Sequence, residues 1–194
     1  MSLGSAEGLD TVYLRKLAAL IRRLHPPWWS EHIAFTRAGG VDIGHLFPLP
    51  FPHEAVEVLC HNIAEVRRCI DVPLILENIT YVVTLPGGEM SEAEFLAEVL
   101  ARTDCGLLLD VANLYTNAVN HGYDPYAFLE QLPLERVVQL HIAGGHWQHG
   151  VLIDSHSQPL PPGVWDLMAA VVGRVPMKGI VLERDEHARR LQNC

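Results

Sequence analysis

CGLLLDV, residues 105–111, is a short apolar run that ends on a carboxylate. Similar runs are WWSEHIAF at 28–35, PLILENIT at 73–80, VVQLHIA at 137–143 and GIVLE at 179–183. Each is the length of a strand and nearly continuous in apolar character, which is expected of a parallel strand buried on both faces. Segments of helical length lie between and beside them: Leu9 to Leu24, Pro52 to Ile70, Ser91 to Arg102, Pro125 to Leu132 and Pro161 to Gly173, with a tail from Glu186. Ser91 followed by Glu92 and Glu94 is an N-cap with acid in the first turn, and Pro125 suits a first helical position.

Repeated βα units lead either to an open doubly wound sheet or to a closed (β/α)₈ barrel. The open sheet lacks its usual mark, because Gly39-Gly40, Gly87-Gly88 and Gly144-Gly145 do not form G-x-G-x-x-G after a strand. Strand starts at Trp28, Pro73, Cys105, Val137 and Gly179 lie about 38 residues apart on average; at that spacing a full barrel needs roughly 300 residues. The chain has 194. The expectation is therefore an α/β fold of (β/α)₈ TIM-barrel type, incomplete, with about five βα units of eight in a single partial barrel domain spanning 1–194.

Composition narrows the function. With 23 Asp+Glu against 14 Lys+Arg the formal charge is −9, which argues against nucleic acid or an anionic membrane held by bulk charge. At 49% hydrophobic and 19% charged the chain is that of a packed globular protein. No run approaches a membrane span, and MSLGSAEGLD lacks the order of a secretory signal, so a cytoplasmic protein is expected. Cys60, Cys69, Cys105 and Cys194 form no C-x-x-C and read as free thiols. Trp28, Trp29, Trp147 and Trp165 read as packing residues, and His121 and His149 as solvated.

In a barrel the chemistry sits where strands run out into their loops. Those ends carry Glu31-His32, Glu77-Asn78, Asp110 with Asn113, His141 with His146, and Glu183 with Asp185. Asp154-Ser155-His156 lies in the loop after His141; side chains two apart on an extended segment share a face. An apolar strand ending in an ionisable group five times over is costly unless those groups pair or bind metal. Imidazole and carboxylate without thiolate suit iron, manganese or zinc, and the donors are too many for one ion. The loop segments HLFPLP (45–50) and GGHW (144–147) read either as plain loops or as walls of a substrate cleft.

Taken in order, these residues carry a resemblance. SEHIAF (30–35), PLPF (48–51), LILENI (74–79), MSEAEFL (90–96), GLLLDVANLY (106–115), NHGYDP (120–125), LPLERVVQLHIAGG (132–145), LIDSHSQP (152–159) and GIVLERD (179–185) resemble the multinuclear non-heme iron-dependent oxidative enzymes. That family includes the iron enzyme of methanobactin biosynthesis. The resemblance implies a xylose-isomerase-like barrel with two or three iron ions at its C-terminal rim. It also implies dioxygen-dependent modification of cysteine or other residues in a ribosomally made peptide, commonly with a partner protein that presents the peptide. Carried over, the metal ligands are His32, Glu77, Asp110, His141, Asp154, His156 and Glu183, with Asn78, Asn113, His146 and Asp185 beside them.

Against the family pattern the chain reads as N-terminally shortened. A family histidine just ahead of the stretch matching SLGSAEGLD has no counterpart, and Ala112 stands where Asp-Val-Asn-Asn is common. The open edges of a partial barrel would invite self-association. Two other readings share the residues: a divalent-metal hydrolase or isomerase using zinc or manganese, and a non-catalytic barrel fragment that serves as an interaction module.

Overall fold

The computed structural model describes residues 1–175 and 177–186. The expected tail after Glu186, with Cys194, lies outside the described residues. Five parallel strands form the central sheet: β1 (Trp29–His32), β4 (Leu74–Glu77), β5 (Gly106–Asp110), β6 (Val137–Ile142) and β9 (Gly179–Leu182). Their order across the sheet is their order in the chain. A doubly wound sheet reverses direction at a switch point. This sheet does not reverse, and successive strands step round in one sense as in a barrel.

The two faces of the strands differ as a barrel wall requires. Leu74, Leu76, Leu107, Leu109 and Leu140 belong to the buried apolar cluster shared with the helices. Alternate residues, among them Ser30, His32, Leu108, Asp110, Gln139, His141, Val181 and Glu183, line a cleft on the other face. Burying one leucine contributes about 1.5–3 kcal/mol, so the leucine-rich outer face anchors the sheet and leaves the inner face free for polar groups.

The helices that back the sheet are α1 (Thr11–Leu24), α2 (His53–Cys69), α3 (Glu92–Arg102), α4 (Val111–His121), α5 (Pro125–Gln131) and α6 (Pro162–Val172). Their starts follow local chemistry. Asp10 caps α1, Asp124 caps α5 with Pro125 in the first turn, and Ser91 with Glu94 forms a complete capping box on α3.

Two hairpins rise from the C-terminal ends of the strands: β2 (Phe35–Ala38) with β3 (Val41–Phe47), and β7 (His146–Gln148) with β8 (Val151–Ile153). Their turns use residues of positive φ, Gly39 and Gly40 in the first, His149 and Gly150 in the second. The expected run 28–35 is thus two strands, with Phe35 opening the first hairpin. The segment after Asp110, which is not among the expected helical segments, is helix α4. Trp147 and Trp165 are 63% and 49% exposed, so these two do not pack as expected; Trp29 packs against the core. Cys60, Cys69 and Cys105 are free. Among the described residues no helix is long and apolar enough to cross a membrane.

The first residues are tied to the end of β1. The Met1 ammonium meets the Glu31 carboxylate at 2.8 and 3.0 Å, and the buried Asn62 amide donates to the Leu3 and Ser5 carbonyls. Glu31 is therefore paired away from the cleft-lining side chains.

Candidate metal centre

Register brings the strand-end residues together. His32 lies opposite Glu77, and Asp110 opposite His141. His141 lies opposite Val181, so Glu183, two residues on, follows it at the rim. Parallel strands are about 4.8 Å apart. Side chains of this length therefore meet across three neighbouring strands.

His141 is the hub. Its Nδ1 lies 3.0 Å from Glu77 Oε1 and 2.9 Å from Asp110 Oδ2, while its Nε2 lies 2.9 Å from Glu183 Oε2. His156 Nδ1 is 3.5 Å from the same Glu183 oxygen, its Nε2 is 3.1 Å from Asp154 Oδ2, and its ring stands edge-on to His141 at 5.5 Å. Two groups therefore have donor atoms within 4.8 Å of one another: Glu77, Asp110 and His141, and His141, His156 and Glu183. The remaining expected ligands lie at their margins. His32 Nε2 is 3.5 Å from Glu77 Oε2, and Asp154 touches His156.

These close approaches do not satisfy every atom. Among the described residues, Asp110 Oδ2 and His141 Nε2 are buried without a partner of hydrogen-bond geometry, despite the short distances. Buried polar atoms are rarely left so. Asp110 and His141 instead belong to groups whose donor atoms crowd within 4.8 Å, an arrangement that suits a cation.

The backbone around Asp110 is locked by amides. Asn78 Nδ2 donates to the Asp110 carbonyl and Asn78 Oδ1 accepts the Asp110 N–H, both at 2.9 Å. Asn113 Nδ2 donates to the Asn78 carbonyl, and the Asn113 N–H donates to Asp110 Oδ1. Asp110 thus caps α4 with one oxygen and turns the other to His141. Asn78 and Asn113 lie beside the group and bond its backbone. His146 contacts Ser155 at 2.8 Å, and Asp185 Oδ2 lies 3.5 Å from His156 Nδ1 at an exposed position.

Electrostatics follow from burial and crowding. Burial alone lowers the His141 pKa, but the Asp110 and Glu77 carboxylates outweigh it and push it up to about 10. Burial raises Asp110 despite the histidine beside it, and raises Asp154 despite His156.

The groups open into a cleft of about 740 Å³. Its outer walls include His45, Phe47 and Pro48 of the first hairpin and its exit, Tyr81, Val82 and Val83 from the loop after β4, and Leu152 and Ile153 from β8. Of the two expected loop segments, His45 to Pro48 of HLFPLP line the cleft and Gly144 to Trp147 do not. The wall residues Tyr81, Val82 and Val83 are not foreseen from sequence. Tyr81 is held by Asn117, which accepts its N–H, by Glu92, which accepts its hydroxyl, and by stacking on His121. His121 is thus engaged, bonding the Tyr81 carbonyl at 2.9 Å, where a solvated side chain is expected.

The family model described as RiPP precursor modification enzyme MbnB/TglH/ChrH matches residues 1–194. The chain belongs to this family. Relatives of the MbnB/TglH/ChrH chain include a UPF0276 protein of Caulobacter vibrioides strain NA1000, 44% identical over 186 residues, covering 96% of this chain and 66% of that protein. A UPF0276 protein of Streptomyces avermitilis is 42% identical over 194 residues, covering 96% of this chain and 40% of that protein. The chain thus spans just under two thirds of the Caulobacter relative. A crystal structure from Anabaena variabilis, described as a sugar phosphate isomerase/epimerase, superposes with a TM-score of 0.53 at 18% identity, covering 89% of this chain and 53% of that one. That likeness shows the fold alone, an incomplete α/β barrel of the (β/α)₈ type.

Proposed function

We propose that the chain carries, in a single partial barrel domain, the metal-binding rim of an iron-dependent oxidative enzyme that uses dioxygen to modify cysteine or another residue of a ribosomally made peptide. The observation that carries the reading is the pair of donor groups sharing His141, in a protein whose family modifies RiPP precursors. His32, Glu77, Asp110, His141, Asp154, His156 and Glu183 are the proposed ligands of two or three ions. The unpartnered Asp110 Oδ2 and His141 Nε2 fit such ions, as does a donor set of imidazole and carboxylate.

Bound iron supplies the redox and Lewis-acid chemistry for which side chains alone have no equivalent. The protein's part is positioning. Asn78 and Asn113 fix Asp110 so that one oxygen caps a helix and the other faces His141. His141 presents one nitrogen to each donor group, so a single imidazole sets the separation of the two. Val82, Val83 and Phe47 line the approach with apolar surface, which suits an extended peptide segment and limits water at the floor. A partner protein that presents the peptide belongs to the same proposal.

A divalent-metal hydrolase or isomerase is the second reading, because the donor set also suits zinc or manganese. Dioxygen uptake separates the two. The Fe(II)-loaded chain is assayed with cysteine-containing peptides, alongside Zn(II)-loaded protein and the Asp110→Asn variant. Uptake that needs both iron and peptide and is lost in D110N supports the proposal; peptide or sugar turnover by the Zn(II) form without dioxygen contradicts it.

A further inference from the structure

The Asp154–His156 turn lies outside any helix or strand, yet it brings His156 to Glu183. His156 has φ of +52°, in the left-handed region that non-glycine residues seldom adopt. Something must hold it there. Ser155 and Ser157, on either side of His156, share a hydrogen bond of 2.8 Å between their hydroxyls and so clamp the turn at its base. Ser157 is buried. Ser155 Oγ in turn bonds His146 Nδ1 at 2.8 Å.

His146 is itself well anchored. It opens β7, pairs with Ile153 at the end of β8, and follows Gly144 and Gly145. Both glycines pass so close to the second arm that a side chain has no room. A Cβ at Gly144 would stand 1.9 Å from the Gln158 carbonyl oxygen, and one at Gly145 would stand 2.1 Å from that of Ile153. The two arms of the loop are therefore pressed together, with His146 bonded across them. From the far side the Asp185 N–H donates to the His156 carbonyl at 2.9 Å.

We propose that His146 is a positioning residue: through Ser155 and Ser157 it fixes the left-handed turn that holds His156 beside Glu183, and it thereby sets metal binding by the His141, His156 and Glu183 group without being a ligand. The inference rests on the metal-binding reading above. It adds a hydrogen-bonded chain, His146 to Ser155 to Ser157, that contains no metal donor in use. Second-layer contacts of this kind commonly govern affinity by 10- to 100-fold.

The test is titration of the metal-free chain with Fe(II) under argon, with the number of ions and the affinity read for each variant beside its thermal melt. His146→Ala and Ser155→Ala are expected to weaken the last ion bound about tenfold or more, or to lose it, at an unchanged number of tighter ions. His146→Asn places an amide atom where Nδ1 stands and Ser155→Thr keeps the hydroxyl; both are expected to restore binding. Wild-type binding in H146A and S155A overturns the proposal, as does failure of both conservative variants to rescue. Should H146A not fold, the S155A and S155T pair decides by the same criteria. If the unsubstituted chain binds no Fe(II), the metal-binding reading itself falls and takes this one with it; if it binds and only the variants fail to differ, the positioning role alone falls.

Discussion

His141 Nε2 and Glu183 Oε2 lie 2.9 Å apart across the β6–β9 pair, and the nitrogen nonetheless has no partner of hydrogen-bond geometry among the described residues. The other nitrogen of the same ring faces Asp110 and Glu77. One imidazole thus stands among three carboxylates from three strands.

Replacing His141 by Ala is expected to abolish binding at both donor groups. In the metal-free protein it also leaves Glu77 and Asp110 buried without their cation partner, at a cost of about 3–5 kcal/mol. Urea denaturation of metal-free H141A against the unsubstituted chain checks the second effect, and metal titration checks the first.

The metal-free protein is expected to lose stability as pH rises. Burial raises Glu92, against the Tyr81 and Asn117 hydrogen bonds, from 4.5 to about 7. A raised carboxyl contributes stability that is full below 4.5 and is lost as pH rises through about 7. His141, raised from 6.5 to about 10, contributes stability that is full below 6.5 and is lost as pH rises through about 10. Glu92→Gln is expected to flatten the lower window, a change of about 3 kcal/mol. Metal loading is expected to abolish the upper window, since a coordinated imidazole is already deprotonated. Denaturation midpoints from pH 4 upward, with and without metal, give both results.

Removing metal is expected to destabilise the fold, because the ions bind the assembled rim and not the unfolded chain. At free metal 100-fold above Kd the contribution is about 2.7 kcal/mol. A chelator should therefore lower Tm by several degrees in the unsubstituted chain and by far less in H141A, by calorimetry.

The outer edge of β9 is expected to support self-association. Ile180, Val181 and Leu182 are 45%, 43% and 60% exposed on a strand with a neighbour, β6, on one side. Apolar edges of this kind pair with other chains, and a lysine blunts them. Ile180→Lys should shift the light-scattering mass toward the monomer at concentrations where the unsubstituted chain is larger; a monomer in both contradicts this expectation.

The five strands and the ionisable groups at their ends are legible in the sequence because each strand is an apolar run stopped by an ionisable group. LILEN and GLLLD show the signal at its plainest. Helix α4 is not legible, since its buried face carries Asn113, Thr116 and Asn117 and so breaks the apolar period. Its cap is the missed clue: Asp110 followed three residues on by Asn113. The hairpins hide for another reason. Ala38-Gly-Gly-Val41 and Gln148-His-Gly-Val151 are turn signals, but their flanking strands are short and exposed and read as loop. Tyr81 escapes because its role depends on Glu92, Asn117 and His121, which only the fold brings to it. Ser155 and Ser157 lie in the quoted motif, but their bond to each other follows from the left-handed turn at His156.

The central claim, a multinuclear iron rim built on His141, is tested most directly by metal content on protein purified without oxygen from iron-57-grown cells, read by elemental analysis and Mössbauer spectroscopy. The account predicts two or more irons per chain with exchange coupling, falling to none in H141A. Zinc or manganese alone, or no stoichiometric metal, contradicts it.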